Sequence, residues 1–277
     1  MSTKLRYIKV FLLTLVAAGV LLPIVWAIAS SFMRSGDIFK NLSPLNWKAF
    51  IPVSPTLVNY MNIFKRFPLA RFFLNSLVVS LITTILGLLV NSLAAYSLAR
   101  FNYPGKTWIF GLVLATMMMP FEVLVIPLYL LCKELGLLNT YYALILPGVA
   151  HGLSIFLLRQ FFIELPRSIE ESAVIDGASY LRIYWRIVLP LSKPALVTAG
   201  LMEFMASWNA FFWPLIAVSK SELVVFQVGL VFFKNEFMPS WGDLFAASTV
   251  GMVPTIVLFV VLQRYYIQGI ALTGVKE

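Results

Sequence analysis

Two carboxylates and one imidazole occupy settings where they could hold a ligand or move a proton. They are Glu122, Glu203 and His151, each inside or beside a long apolar run. Such an ionisable group costs about 2.5–3.5 kcal/mol to insert into hydrocarbon, so it usually faces a cavity or a partner. Near Glu203, the residues Met205, Asn209 and Trp213 recur at intervals of four, which puts them on one helix face. An amide beside an indole suits a sugar: the amide bonds hydroxyls and the ring stacks on a C–H face. The same side chains could equally pack against a neighbouring helix, because polar groups also glue membrane helices together. Glu122 follows Met117-Met118-Met119-Pro120 and could instead satisfy backbone groups freed by the proline. His151, the only histidine, lies next to Gly152 and near Ser154 and reads as a packed helix residue.

Other chemistries are excluded by what is missing. One histidine cannot supply the paired axial ligands of a haem between helices. One cysteine, Cys132, rules out an internal disulfide or a cysteine metal cluster. Gly105-Lys106-Thr107 resembles the end of a phosphate-binding loop, but Arg100 stands where the leading glycine belongs and no strand precedes it. It reads as a turn into the next apolar segment.

The elements that must position these groups are membrane helices. The chain is 60% hydrophobic and only 12% charged, with a mean hydropathy of +0.89; a soluble domain is about a quarter charged. Six stretches exceed the roughly 20 apolar residues needed to cross hydrocarbon: approximately 10–32, 73–99, 107–131, 141–162, 194–218 and 244–268. Backbone satisfaction within lipid makes each of them a helix. The first is longer than the roughly 7–15 apolar residues of a signal peptide and reads as a retained anchor, despite Ala27-Ile28-Ala29 behind it. The whole of 1–277 reads as a single all-α integral membrane domain.

Six spans put both termini on one side. With the termini in the cytoplasm, Lys4, Arg6, Lys9, Arg100, Lys106, Arg159, Arg167, Arg182, Arg186, Lys193, Arg264 and Lys276 lie inside. The two shorter outer loops then hold only Lys133, Lys220 and Lys234, although the long outer loop 33–72 is itself basic. The net charge of +9 is therefore a topological signal and not a nucleic-acid footprint. Within TLVNYMNIFKRF, Leu57, Tyr60, Met61 and Phe64 are helically spaced, which predicts an amphipathic helix on the outer membrane surface.

One inner loop, 166–192, concentrates charge: EESAVIDGASYLRIYWRIVLP carries Glu170, Glu171, Asp176, Arg182 and Arg186. Ser168 followed by Glu171 matches a capping box. Asp176-Gly177 predicts a helix stop, Ser179 a second cap, and Pro190 and Pro194 a further break. The predicted unit is helix, glycine turn, helix, with charges around an apolar ridge of Ala173, Ile175, Ala178 and Leu181. A small apolar knob ringed by charge suits a partner's groove.

Glu171-Ser172-Ala173, Asp176-Gly177-Ala178 and Ile187-Val188-Leu189-Pro190 together resemble the EAA motif of ABC-importer permeases. Ser172 stands where the family has its first alanine. The resemblance covers most of the chain: SPTLVNYMNIF, Asn75-Ser76-Leu77, WNAFFWPL, Trp241-Gly242-Asp243 and the tail QRYYIQGIALTGVKE are similar to maltose-type carbohydrate permeases, in the layout of their MalG-type subunit.

That resemblance implies a type I importer permease fold with cytoplasmic coupling helices, in a prokaryotic cytoplasmic (inner) membrane. It implies a second homologous permease, a homodimeric or heterodimeric cytoplasmic ATPase, an extracytoplasmic sugar-binding protein and a carbohydrate cargo as partners, within membrane lipid. Glu170, Glu171, Ala173, Asp176, Gly177, Ala178 and Arg182 would couple to the ATPase. Gly274, Val275 and Lys276 would reach it from the C-terminal tail, and the outer loop 219–242 would meet the binding protein. Glu122, Glu203, Met205, Asn209 and Trp213 are the candidates for the cargo pathway. The chain would be no enzyme and bind no cofactor, ATP–Mg being used by the ATPase. The alternatives are an ion-coupled secondary transporter, for which no internal repeat is visible, or an ABC permease for another cargo such as glycerol 3-phosphate. The spans hold no arginine or lysine near their centres, which favours a neutral or weakly charged cargo.

Overall fold

The computed structural model describes residues 3–40, 42, 46–233 and 240–274, and it is helical throughout its long elements. The helices used below are α1 (Thr3–Ser31), α2 (Val58–Arg66), α3 (Leu69–Arg100), α4 (Lys106–Met118), α5 (Phe121–Glu134), α6 (Tyr141–Val149) and α7 (Gly152–Glu164). They continue with α8 (Arg167–Ile175), α9 (Tyr180–Leu191), α10 (Lys193–Trp208), α11 (Phe212–Ala217) and α12 (Trp241–Gly274). The sequence reads as one domain; the structure divides into two compact units, 1–71 with 229–254 and 72–228 with 255–277.

In the first unit, α1 exposes an apolar surface along most of its length, as a lipid-facing helix should. Its C-terminal carbonyls need donors, and α2 supplies them. The buried Asn59 side chain donates to the carbonyls of Ser31 (2.8 Å) and Met33 (2.7 Å). Tyr60 adds a hydroxyl contact to Ser31 at 2.8 Å. Two of the sequence segments singled out above interlock here. Gly242 lies so close to Asn59 that a Cβ would come within 2.7 Å of its amide. Asp243, buried, accepts from Asn62 (3.4 Å) and sits 3.6 Å from the Arg66 guanidinium. The predicted amphipathic helix forms as α2, with Leu57, Met61 and Phe64 exposed and Asn59 and Ile63 buried. Tyr60, expected on the exposed face, instead turns to Ser31.

Of the apolar segments 73–99, 107–131, 141–162 and 194–218 of the second unit, only the first, in α3, is a helix without a break. Over the described residues of both units together, four helical segments pass the length and hydropathy test as single spans, and two bent pairs raise the number to six. The segment 107–131 is not straight: α4 and α5 meet at 106°. Pro120 causes the break by forcing Met119 into extended backbone and withholding an N–H. The segment 141–162 is interrupted at Ala150 and His151, both extended. The segment 194–218 stops at Trp208 and resumes as α11. By contrast α3 runs through 32 residues with no internal proline.

One end of this unit has a dense core. Ala95, Tyr96 and Ala99 of α3, Leu158 and Phe162 of α7, and Ile183, Tyr184 and Val188 of α9 are buried together. Arg159 caps the end of α3 by donating to Leu98 (3.2 Å) and lies 3.9 Å from the Phe110 ring. Gly105 has φ +82° and Lys106 donates to the Phe101 carbonyl at 2.8 Å, so Gly105-Lys106-Thr107 is a helix-entry turn, as read from the sequence.

Candidate functional site: a hinged surface segment and a membrane cavity

The charged segment is built around a glycine elbow. Gly177 has φ +76°, a conformation that costs an L-residue about 1–2 kcal/mol. Its N–H bonds the Val174 carbonyl (3.0 Å), and the Ala178 N–H bonds Ala173 (2.9 Å). This pair of bonds is the Schellman closure of a helix end. The Ser179 hydroxyl accepts from Arg182 N–H at 3.4 Å and starts α9. Two details differ from the sequence reading. Helix α8 begins one residue before Ser168, so no capping box forms; the Ser168 carbonyl instead accepts from Ser172 Oγ (2.8 Å). Pro190 does not break the chain either. It sits in the last turn of α9, after a π-helical stretch at Tyr184–Val188 that accommodates its missing donor, and the 83° bend to α10 falls at Ser192.

The expected ring of charge is only partly on the surface. Glu171, Asp176 and Arg182 are exposed, and so are Ile175, at 86% of its full area, and Leu181. Ala173 and Ala178 turn inward against the core. Glu170 turns inward too, which corrects its placement on the rim. Its carboxyl lies 2.7 Å from Arg100 Nε, with the two side chains only 14% and 7% exposed. Tyr96 donates to the same carboxyl at 3.4 Å, and Arg100 Nη2 donates to the Leu165 carbonyl at 3.0 Å. The reason is helical phase: Glu170 shares a face with Ala173, and that face is the one apposed to α3 and α7. Gly274 is the last described residue of α12; Val275 and Lys276 lie outside the described residues.

A cavity of about 1230 Å³ lies among α3–α7, α10 and α11. The breaks at Pro120, at Ala150–His151 and after Trp208 all lie beside it, and its wall is mostly apolar. Glu203 and Trp213 are on its wall; Glu122, Met205 and Asn209 are not. The shared face expected for Met205, Asn209 and Trp213 does not exist, because α10 ends before Asn209 and the chain turns. Asn209 is exposed and donates back to Met205 (2.9 Å). Glu122 is exposed in the first turn of α5, where a carboxylate favours the helix dipole. Trp213 is buried and fixed by its indole N–H on the Ala143 carbonyl at 2.8 Å.

The polar part of the wall depends on a residue the sequence reading passed over. Asn91 of α3, fully buried, bridges the break between α6 and α7. Its Nδ2 donates to the Val149 carbonyl (3.1 Å) and its Oδ1 accepts from His151 N–H (3.1 Å). The same Nδ2 donates to Glu203 Oε1 at 2.8 Å. Glu203 is 3% exposed; the Ser154 hydroxyl lies alongside, while Oε2 has no well-formed hydrogen bond among the described residues. His151, read as a packed residue, is on the cavity wall, its Nδ1 3.1 Å from Ser154 Oγ. Thr83 presents a second buried, unpartnered oxygen there. The signal for Asn91 was available: a carboxamide deep within an apolar run is costly unless it repairs backbone or binds a partner. Among the described wall residues there is no arginine or lysine, so the arrangement offers hydroxyl-binding acceptors and aromatic faces rather than anion binding.

Asn75 and Ser76 hold the start of the loop after α11. Asn75 Nδ2 donates to the carbonyls of Glu222 and Val224, and Ser76 Oγ accepts from Phe226 N–H.

Known proteins carry the same layout. The chain is 34% identical to a probable ABC transporter permease protein of Bacillus subtilis, YurM, over 92% of this chain and 83% of that one. It is also 34% identical to the arabinooligosaccharides transport system permease protein AraQ of Halalkalibacterium halodurans, end to end in both chains. Its fold matches a chain from the crystal structure of a bacterial ABC transporter that imports the acidic polysaccharide alginate. There the TM-score is 0.82 at 23% identity, covering 96% of this chain and 99% of that one. Residues 87–271 match the model of the binding-protein-dependent transport system inner membrane components. That match runs through Asn91, Glu203 and the Gly177 elbow alike, and with the full-length relatives it makes this chain a member of that permease family.

Proposed function

We propose that this chain is a permease subunit of an ATP-driven carbohydrate importer, forming half of the cargo pathway and taking its stroke through the segment 166–192. The observation that carries this reading is the Gly177 elbow, which holds Ile175 and Leu181 out in solvent next to Glu171, Asp176 and Arg182. Exposed aliphatic side chains on a rigid turn, ringed by charge, contribute nothing to the fold and suit a groove on a separate ATPase subunit. On this reading the termini and the elbow are cytoplasmic, in keeping with the distribution of basic residues. A homologous permease completes the pathway, ATP–Mg is bound and cleaved by the ATPase, and a binding protein delivers cargo from outside. The cargo is a neutral or weakly charged sugar or oligosaccharide, whose hydroxyls suit Glu203, Thr83 and His151 and whose C–H faces suit Trp213 and its aromatic neighbours. The arabinooligosaccharide relative supports the cargo class.

The test is purification of the tagged chain from its own host in mild detergent, with partners identified by mass spectrometry, beside Gly177→Pro. Proline cannot adopt a positive φ, so the elbow is abolished. The expected result is recovery of an ATPase and a second permease with the native chain and loss of the ATPase from the variant. A chain that purifies alone and transports without ATP in liposomes is a secondary transporter instead.

A further inference from the structure

We propose that the Arg100–Glu170 ion pair is the joint through which the exposed segment moves α3, so that Glu170 is a positioning residue and not a docking contact. The inference rests on the importer reading above and specifies how the stroke would reach the cavity.

Helix α8 offers very little to the rest of its unit. No residue in it is fully buried, and its inward face consists of Glu170 and Ala173, followed by Ala178 beyond the elbow. Alanine methyls slide over apolar neighbours with little resistance, because dispersion contacts are weak and non-directional. The Glu170 carboxyl is different. It meets Arg100 Nε at 2.7 Å and the Tyr96 hydroxyl at 3.4 Å, in a setting shielded from solvent. Opposite charges this close, both largely withdrawn from water, are costly to pull apart because either one alone would be left unpaired. The same guanidinium donates to Leu165, so Arg100 holds the segment on both sides of Pro166.

What Arg100 and Tyr96 belong to matters as much. They are in the last two turns of α3, the one cavity helix that is not interrupted. Thr83, on the cavity wall, lies about 25 Å along the same helix at 1.5 Å per residue. Asn91, between them, clamps the break of α6 and α7 and holds Glu203. The bent pairs α4–α5 and α9–α10 can absorb a push at their bends; α3 transmits it. Displacement of α8 therefore reaches the cavity by a single rigid element gripped at one ion pair.

The experiment uses the complete importer from its own host, reconstituted in nanodiscs, and reads ATP hydrolysis with and without its binding protein. The native importer should hydrolyse ATP faster when its binding protein is present. Glu170→Gln and Arg100→Met should each abolish most of that stimulation while the ATPase stays bound at native stoichiometry. The double variant Arg100→Met/Glu170→Gln leaves no lone buried charge and should be no worse than either single change. The swap Arg100→Glu/Glu170→Arg should restore a clear response. Retained stimulation in the double variant overturns the proposal. So does loss of the ATPase with Glu170→Gln but not with Arg100→Met, which would make Glu170 a docking contact. A native importer whose hydrolysis ignores its binding protein overturns the importer reading itself.

Discussion

Asn91 Nδ2 donates to Glu203 Oε1 at 2.8 Å while also donating to the Val149 carbonyl, so one carboxamide joins a buried acid to a broken helix. The chain separates these residues by 112 positions. The contact explains how a cavity can exist in the middle of an apolar bundle. Breaking a helix frees backbone groups that lipid cannot satisfy, and a side chain from an unbroken neighbour must take their place.

Replacing that carboxamide by a similar-sized apolar group should therefore be severe. Asn91→Leu leaves the Val149 carbonyl, the His151 N–H and Glu203 Oε1 without their partner at once. Each buried orphan costs about 1–3 kcal/mol, so a loss of about 3–5 kcal/mol is expected after local relaxation. Thermal or denaturant unfolding in detergent would measure it. Because the two residues share one network, Asn91→Leu/Glu203→Leu should lose markedly less than the sum of its singles. Strict additivity would mean that they act independently.

Gly87 reads as an unremarkable small residue in an apolar helix, yet a Cβ there would overlap Glu203 Oε2 and approach the Val149 carbonyl at 3.3 Å. Gly87→Ala should cost about 1–3 kcal/mol through that overlap, although alanine is the better helix former by nearly 1 kcal/mol. The sign reverses if the obstacle is removed: in a Glu203→Ser background, Gly87→Ala should be neutral or stabilising. The same unfolding measurements decide between the two. A destabilisation that persists in the serine background would place the conflict elsewhere.

Much of this was legible in the sequence, and what was not has physical causes. Apolar run length locates the helices because hydrocarbon thickness fixes it, and Gly177 announces its positive φ through the residues around it. The breaks were harder. Pro147, inside α6 just ahead of the Ala150–His151 break, does not say which partner repairs that break, and Asn91 lies far away from it in sequence. Glu170 and Glu171 look alike as neighbours in a charged run; only the phase set by Ala173 and Ala178 turns one of them inward. A four-residue spacing on paper joined Met205, Asn209 and Trp213, but spacing says nothing of a helix that ends at Trp208.

In the first unit, Asn59 does for α1 what Asn91 does for α6 and α7. Asn59→Ala leaves the Ser31 and Met33 carbonyls without their donor and should cost about 1–3 kcal/mol. Gly242→Ala should mimic it, because the new methyl would displace the same amide. Combining the two should therefore cost little more than one alone. Melting of purified single and double variants would show it, and two independent losses would separate Asn59 from Gly242.

Ile175 supplies the sharpest separation of folding from docking. The side chain is 86% exposed, two residues before the Gly177 turn, so the isolated chain gains almost nothing from it. Ile175→Asp should shift unfolding by no more than about 0.5 kcal/mol, the usual range for a surface change. If the side chain fills a groove on the ATPase, the same substitution buries an unpaired charge there. A central anchor of this type is worth about 2 kcal/mol or more, which corresponds to roughly thirtyfold weaker association. Unfolding in detergent, together with titration of the purified ATPase against the native and Ile175→Asp permeases, would read both quantities. Unchanged affinity would move the docking surface away from the elbow, and unchanged affinity with lower stability would make Ile175 a packing residue of the chain itself.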